Sequence, residues 1–173
     1  HNSGRRQRQM CIRDSIKGIE LAGALKNIYA IISGYCHSLD VGENAIGLIL
    51  TRSMAEMSNF AVNKGANPIT FLGLAGMGDL VATCFSKLSR NYQFGWAIGE
   101  GLDVEAAKYK VGQVAEGLNT IRIIHNEISS SKIKMPLVSG MHEILFNSGS
   151  KELLLEQIIN SDIYVDVNFD VES

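Results

Sequence analysis

Four stretches of this chain carry side chains whose types and spacing could do chemistry. The first centres on Lys26, in Gly18-Ile-Glu-Leu-Ala-Gly-Ala-Leu-Lys-Asn27. On a helix its neighbours one turn away are Ala22, Gly23, Tyr29 and Ala30, so no carboxylate reaches it from its own helix. Small neighbours let a ligand come close to the ammonium, and an ammonium so placed can hand a proton to a ligand oxygen. A solvated lysine beside a helix-packing glycine accounts for the same pattern. Asn27, next in the chain, could orient a ligand oxygen or the helix.

The second stretch is Gly73-Leu-Ala-Gly-Met-Gly-Asp-Leu-Val-Ala-Thr-Cys84, where three glycines crowd Asp79. Glycines allow close approach of the backbone to a ligand. Asp79 would then accept hydrogen bonds from polyol hydroxyls or pair with Lys26, and Thr83, one turn on, would add a hydroxyl. The competing reading is a first-turn acid favoured by the helix dipole. Third comes Ser89-Arg90-Asn91 at a predicted helix start. Free backbone N–H groups and the positive dipole end attract anions there, and Arg90 can grip phosphate oxygens through paired hydrogen bonds. A capping serine beside a surface arginine fits equally well. Last, Glu116 in Gln113-Val-Ala-Glu116-Gly117 precedes another helix and could hold ribose-type hydroxyls, or serve as a first-turn acid. A carboxylate for hydroxyls and a Ser-Arg-Asn cradle for phosphate together point to a small phosphorylated polyol.

These residues need helices to place them, and the hydrophobic period supplies helices. Leu21, Leu25, Ile28, Ile32 and Tyr35 step by four and three along one face. Ser38 to Gly42 reads as a loop, with Asn44 as the expected N-cap of a second long helix carrying Ile46, Leu50, Met54, Met57 and Ala61 inward. Arg52 and Glu56 are expected to pair on its surface, and Gly65 to end it. Further starts are Asn67-Pro68, Ser89, Asp103, Pro136 and Ser150, and Leu118, Ile121, His125 and Ile128 mark another amphipathic helix. The expectation is an all-α domain of six to eight helices. No strand–turn–helix unit and no G-x-G-x-x-G occurs; Gly76-Met-Gly78 comes nearest.

Three segments follow: a polar, basic leader over residues 1–14, expected to be disordered or foreign, a helical substrate-binding domain over 15–160, and an acidic tail over 161–173. The chain has 173 residues, 46% of them apolar and 20% charged, which is enough for one packed core. A net charge of −2 gives no reason to expect a nucleic-acid partner. No apolar run is long enough to span a bilayer. Cys11, Cys36 and Cys84 are odd in number and widely spaced, and His1, His37, His125 and His142 do not cluster along the chain. No metal site is expected, His125 and His142 read as structural, and the cysteines fit a reducing compartment, the cytoplasm.

Taken in order, these motifs resemble one family, the C-terminal substrate domain of the bacterial-type NAD(P)-dependent glycerol-3-phosphate dehydrogenases. The matching stretches are 18–27, Leu50-Thr-Arg-Ser-Met-Ala-Glu-Met57, 71–84, 89–91 and Val111-Gly-Gln-Val-Ala-Glu-Gly117. The segment from Tyr35 to Val41 departs from the family's glycine-rich loop. The resemblance implies an all-α domain of the 6-phosphogluconate-dehydrogenase-like type. It implies reversible NAD(P)H-dependent reduction of dihydroxyacetone phosphate to sn-glycerol 3-phosphate, for phospholipid synthesis. Lys26 then matches the catalytic lysine. Asn27, Asp79, Thr83, Ser89, Arg90 and Asn91 match substrate-binding positions, and Arg90, Val114 and Glu116 match positions that touch the NAD or NADP. The N-terminal Rossmann domain is expected as the partner of this half, which alone would be inactive; a homodimer is compatible. A related hydroxy-acid dehydrogenase or a non-catalytic dimerisation module are the competing expectations.

Overall fold

The computed structural model describes the backbone of residues 3–67, 74–112 and 116–160, and side chains over 19–67, 76–112 and 116–159. Among the described residues there are eight α-helices and no strand, as the periodicity required. They are α1 (Ser3–Ser38), α2 (Glu43–Asn63), α3 (Asp79–Phe85), α4 (Arg90–Gly99), α5 (Val104–Val111), α6 (Glu116–Ser129), α7 (Pro136–Phe146) and α8 (Lys151–Asn160), with a π-helical turn over Leu74–Gly78 feeding α3. The helical backbone runs back to Ser3, through the segment that the sequence set apart as a leader. The residues from Pro68 to Gly73 and the acidic tail lie outside the described residues. No described helix is long and apolar enough to cross a membrane.

The axis of the fold is α1. The sequence predicted one buried face, but every residue from Ile28 to Cys36 is buried. A helix apolar on all sides must be covered on all sides, and α2, α3, α4, α6 and α7 all pack on α1. The closest approach is to α4. A Cβ at Gly95 would collide with the Ile31 carbonyl, and one at Gly34 with the Tyr92 carbonyl. Glycine at both positions lets the two backbones touch, which fixes α4 against α1.

Local cap chemistry starts the helices where expected. The Ser89 hydroxyl accepts from the Tyr92 N–H at 3.4 Å, the Asp103 carboxylate accepts from the Ala106 N–H at 2.8 Å, and the Ser150 hydroxyl accepts from the Leu153 N–H at 3.4 Å. Pro136 opens α7, and Gly65 follows α2 with φ +80°. Two expectations fail. Asn44 is not the cap of α2: the N-cap position is Gly42, without a side-chain bond, and Glu43 supplies the first-turn negative charge. Glu56 is not a surface partner of Arg52. It turns inward and is 5% exposed, its carboxylate accepting from the Tyr29 hydroxyl at 3.0 Å and from the Leu137 N–H at 2.7 Å. Arg52 instead donates to the Ile159 carbonyl on α8 at 3.2 Å. Glu56 thus joins α1, α2 and the start of α7. Burial pushes its pKa up to about 8, against the pull of those two donors.

Candidate functional site

The long axial helix emerges from its collar of neighbours near its residue 27, and there it presents Lys26 and Asn27. Lys26 Nζ donates to Asp79 Oδ2 at 2.5 Å, bridging α1 and the first residue of α3. The pair is half open, with side chains 25% and 41% exposed. In that setting an ion pair adds only about 0–1 kcal/mol to stability, so its consequence is positional: it holds the ammonium at a fixed point beside solvent. A Cβ added at Gly23, one turn before Lys26, would meet nothing within 4 Å among the described residues. Thr83 donates its hydroxyl to the Asp79 carbonyl at 2.6 Å, leaving the oxygen itself as an acceptor.

Asn27 faces the opposite neighbour. Its Nδ2 donates to Glu116 Oε2, the first residue of α6, at 3.4 Å. A Cβ at Gly117 would lie 2.6 Å from the Asn27 carbonyl oxygen, so only glycine lets α6 start this close to α1. The Gly117 N–H donates to Asn91 Oδ1 at 3.0 Å. Asn91 is buried and belongs to the first turn of α4, next to the exposed Arg90 and the capping Ser89. Asp79, Lys26, Asn27, Glu116, Gly117 and Asn91 therefore form one continuous chain of contacts across α3, α1, α6 and α4. Val114 lies outside the described residues.

Two helix N-termini lie along this chain of contacts, α4 beginning at Arg90 and α6 at Glu116, beside α3, which continues at Asp79 from the π-helical turn. Orphan N–H groups and positive dipole ends make such a place receptive to anions. An amine beside a carboxylate can supply and orient a proton, and Glu116, exposed at the mouth of α6, can accept from hydroxyls. Sequence reasoning did not assign Asn91 its bond to α6, nor Gly117 its close contact; a buried asparagine and a glycine in a first turn give no local sign of a partner on another helix. A cavity of about 330 Å³ lies elsewhere, lined by Lys87, Tyr92, Gln93, Trp96, Lys110 and Val111. It includes neither Lys26 nor Asp79, and the convergence of polar groups marks the candidate site.

The family profile described as NAD-dependent glycerol-3-phosphate dehydrogenase C-terminus matches residues 15–156, and the chain belongs to that family. It is 50% identical over 152 residues to the glycerol-3-phosphate dehydrogenase [NAD(P)+] of Pseudomonas savastanoi pv. phaseolicola, covering 88% of this chain and 45% of that relative. Among solved structures, the glycerol-3-phosphate dehydrogenase of Coxiella burnetii superposes with a TM-score of 0.80 at 37% identity, over 84% of this chain and 45% of the other. The yeast enzyme of Saccharomyces cerevisiae superposes with a TM-score of 0.73 at 29% identity, over 84% of this chain and 42% of the other. The chain thus spans a little under half the length of these relatives.

Proposed function

We propose that this chain is the substrate-binding half of an NAD(P)-dependent glycerol-3-phosphate dehydrogenase, interconverting dihydroxyacetone phosphate and sn-glycerol 3-phosphate once joined to an N-terminal cofactor domain. The observation that carries the reading is the 2.5 Å pair between Lys26 and Asp79, on a chain of contacts that includes two helix N-termini. The groups present suit a dinucleotide: Arg90 to donate to a phosphate and Glu116 to accept from ribose hydroxyls, with Glu116 held against α1 by the Gly117 contact. Val114, between them in sequence, is proposed as a third contact. When bound, the nicotinamide supplies or accepts the hydride.

The residues of this chain do the rest. As a carbonyl oxygen gains negative charge, the Lys26 ammonium stabilises it and delivers the proton; in the reverse direction the amine takes the hydroxyl proton back. Asp79 aims the ammonium and returns it to the same point after each transfer. Asn27 and Thr83 offer an amide and a hydroxyl oxygen to the polyol. Ser89, Arg90 and Asn91 sit at the start of α4, where Arg90 and the helix terminus hold the phosphate and so set the distance of the reacting carbon from Lys26. The free, buried Cys36 and Cys84 support a reducing compartment, and we place the enzyme in the cytoplasm.

The test is the chain fused to an N-terminal cofactor domain of a relative. Lys26→Met should lower kcat by about 10²–10⁴-fold while leaving NADH binding in place. An unchanged kcat would remove Lys26 from the mechanism. Turnover of a hydroxy acid lacking phosphate, as fast as that of glycerol 3-phosphate, would remove the phosphate role of Arg90.

A further inference from the structure

Folding brings together two histidines that lie far apart in the sequence. His125 on α6 and His142 on α7 stack ring on ring, with centroids 3.7 Å apart and planes 9° from parallel. Glu143 follows His142, and one ligand atom from each of the three lies within 4.8 Å of the others. His142 Nδ1 is buried and has no hydrogen-bond partner among the described residues. Glu143 Oε1 stands 3.9 Å from it, too far for a hydrogen bond. The Glu143 carboxylate is itself held, both oxygens accepting from Asn147 Nδ2 at 3.1 Å.

We propose that His125, His142 and Glu143 form a site for a divalent transition-metal ion of the Zn²⁺ type, tying α6 to α7. Two imidazoles and a carboxylate are a donor set that suits Zn²⁺, with a water completing four-coordination. Bonds of about 2.0–2.1 Å in a tetrahedron place ligand atoms about 3.3 Å apart. The Nδ1–Oε1 gap of 3.9 Å therefore has to close by about half an ångström, within reach of side-chain rotation. Parallel rings send their in-plane lone pairs side by side, so the His125 ring must swing about its Cβ–Cγ bond and leave the stack. In exchange the orphaned His142 nitrogen gains a partner, which removes the penalty of a buried polar atom left unsatisfied. Arg122, stacked 4.4 Å over the Phe146 ring that packs on His142, opposes an added cation, and Glu143 offsets it. His125 lies more than two turns along α6 from Glu116, so this centre is separate from the Lys26–Asp79 site.

The untagged chain should be titrated with Co²⁺ followed by its visible ligand-field bands, then with Zn²⁺ in competition. One Co²⁺ per chain in a four-coordinate spectrum, displaced by Zn²⁺, is expected. His142 is packed between His125 and Phe146, so His125→Asn and Glu143→Gln are the decisive variants. Each should weaken binding by at least about tenfold, and Zn²⁺ should raise the melting temperature of the wild type but not of His125→Asn. Absence of stoichiometric binding by the wild type, or binding of equal strength in both variants, overturns the proposal.

Discussion

Replacing Glu56 with glutamine should change how stability depends on pH, in a direction the structure fixes. Burial raises the Glu56 carboxyl from 4.5 to about 8 in the native state, so it is neutral at pH 7 when folded and ionised when unfolded. The native state then holds one more proton than the unfolded chain between those two values. Stability from this group is complete below about pH 4.5, falls as pH rises, and is lost above about pH 8. At about 1.36 kcal/mol per unit, a shift from 4.5 to about 8 sets a ceiling of about 5 kcal/mol. The Leu137 N–H and the Tyr29 hydroxyl favour the ionised form, and their pull is already contained in the value of about 8. Glutamine can accept from Leu137 through its oxygen and donate to the Tyr29 oxygen through its nitrogen, and it never ionises. Urea unfolding at pH 5, 6, 7 and 8 should show the wild type losing stability relative to Glu56→Gln at every step. Taking the difference between the two proteins cancels the opposite contribution of His142, whose pKa is lowered by burial and by His125. Parallel stability curves for wild type and variant across this range would refute the reasoning.

Other changes have equally definite outcomes. Gly95→Ala drives a Cβ into the Ile31 carbonyl, so α4 must shift from α1; a loss of about 1–3 kcal/mol is expected in urea unfolding. Asn91→Ala strips the Gly117 N–H of its buried acceptor and should cost about 1–3 kcal/mol, and in the fused enzyme it should raise the KM for the dinucleotide by loosening Glu116. Cys36 and Cys84 are buried with their thiols pushed up to about 12, so native protein should leave both unmodified by iodoacetamide at pH 8, as peptide mapping would show, and denatured protein should not.

What the sequence revealed and what it hid divide along the range of the interactions. Ser89, Asp103, Pro136 and Gly65 could be read because a cap is a bond or a dihedral within a few residues of its owner. The all-helical fold followed from a period that any single helix displays. Lys26 had no carboxylate one turn away on its own helix, and that absence let Asp79 be weighed as a partner. Glu56 misled for the opposite reason: its i, i+4 spacing to Arg52 fits a surface pair, and the pull inward comes from Tyr29 and Leu137 on other helices. The all-round burial of α1 has the same origin. Gly34 and Gly95 look like ordinary helix glycines until the Ile31 and Tyr92 carbonyls are placed beside them. Nor does spacing of seventeen residues suggest that His125 and His142 stack, since the loop between α6 and α7 decides it.

The clamp of α4 on α1 at Gly34 also acts as a ruler. From Gly34 back to Lys26 is a single unbroken helix, so the Lys26 backbone stands about 12 Å along the axis from the clamp and at a set angle around it. One residue inserted or deleted in that interval would rotate Lys26 by about 100° and carry it off Asp79, without disturbing any composition or hydrophobic content. Length, in this short interval, sets whether Lys26 meets Asp79, and the chain should accept substitutions there far more readily than any change in the number of residues.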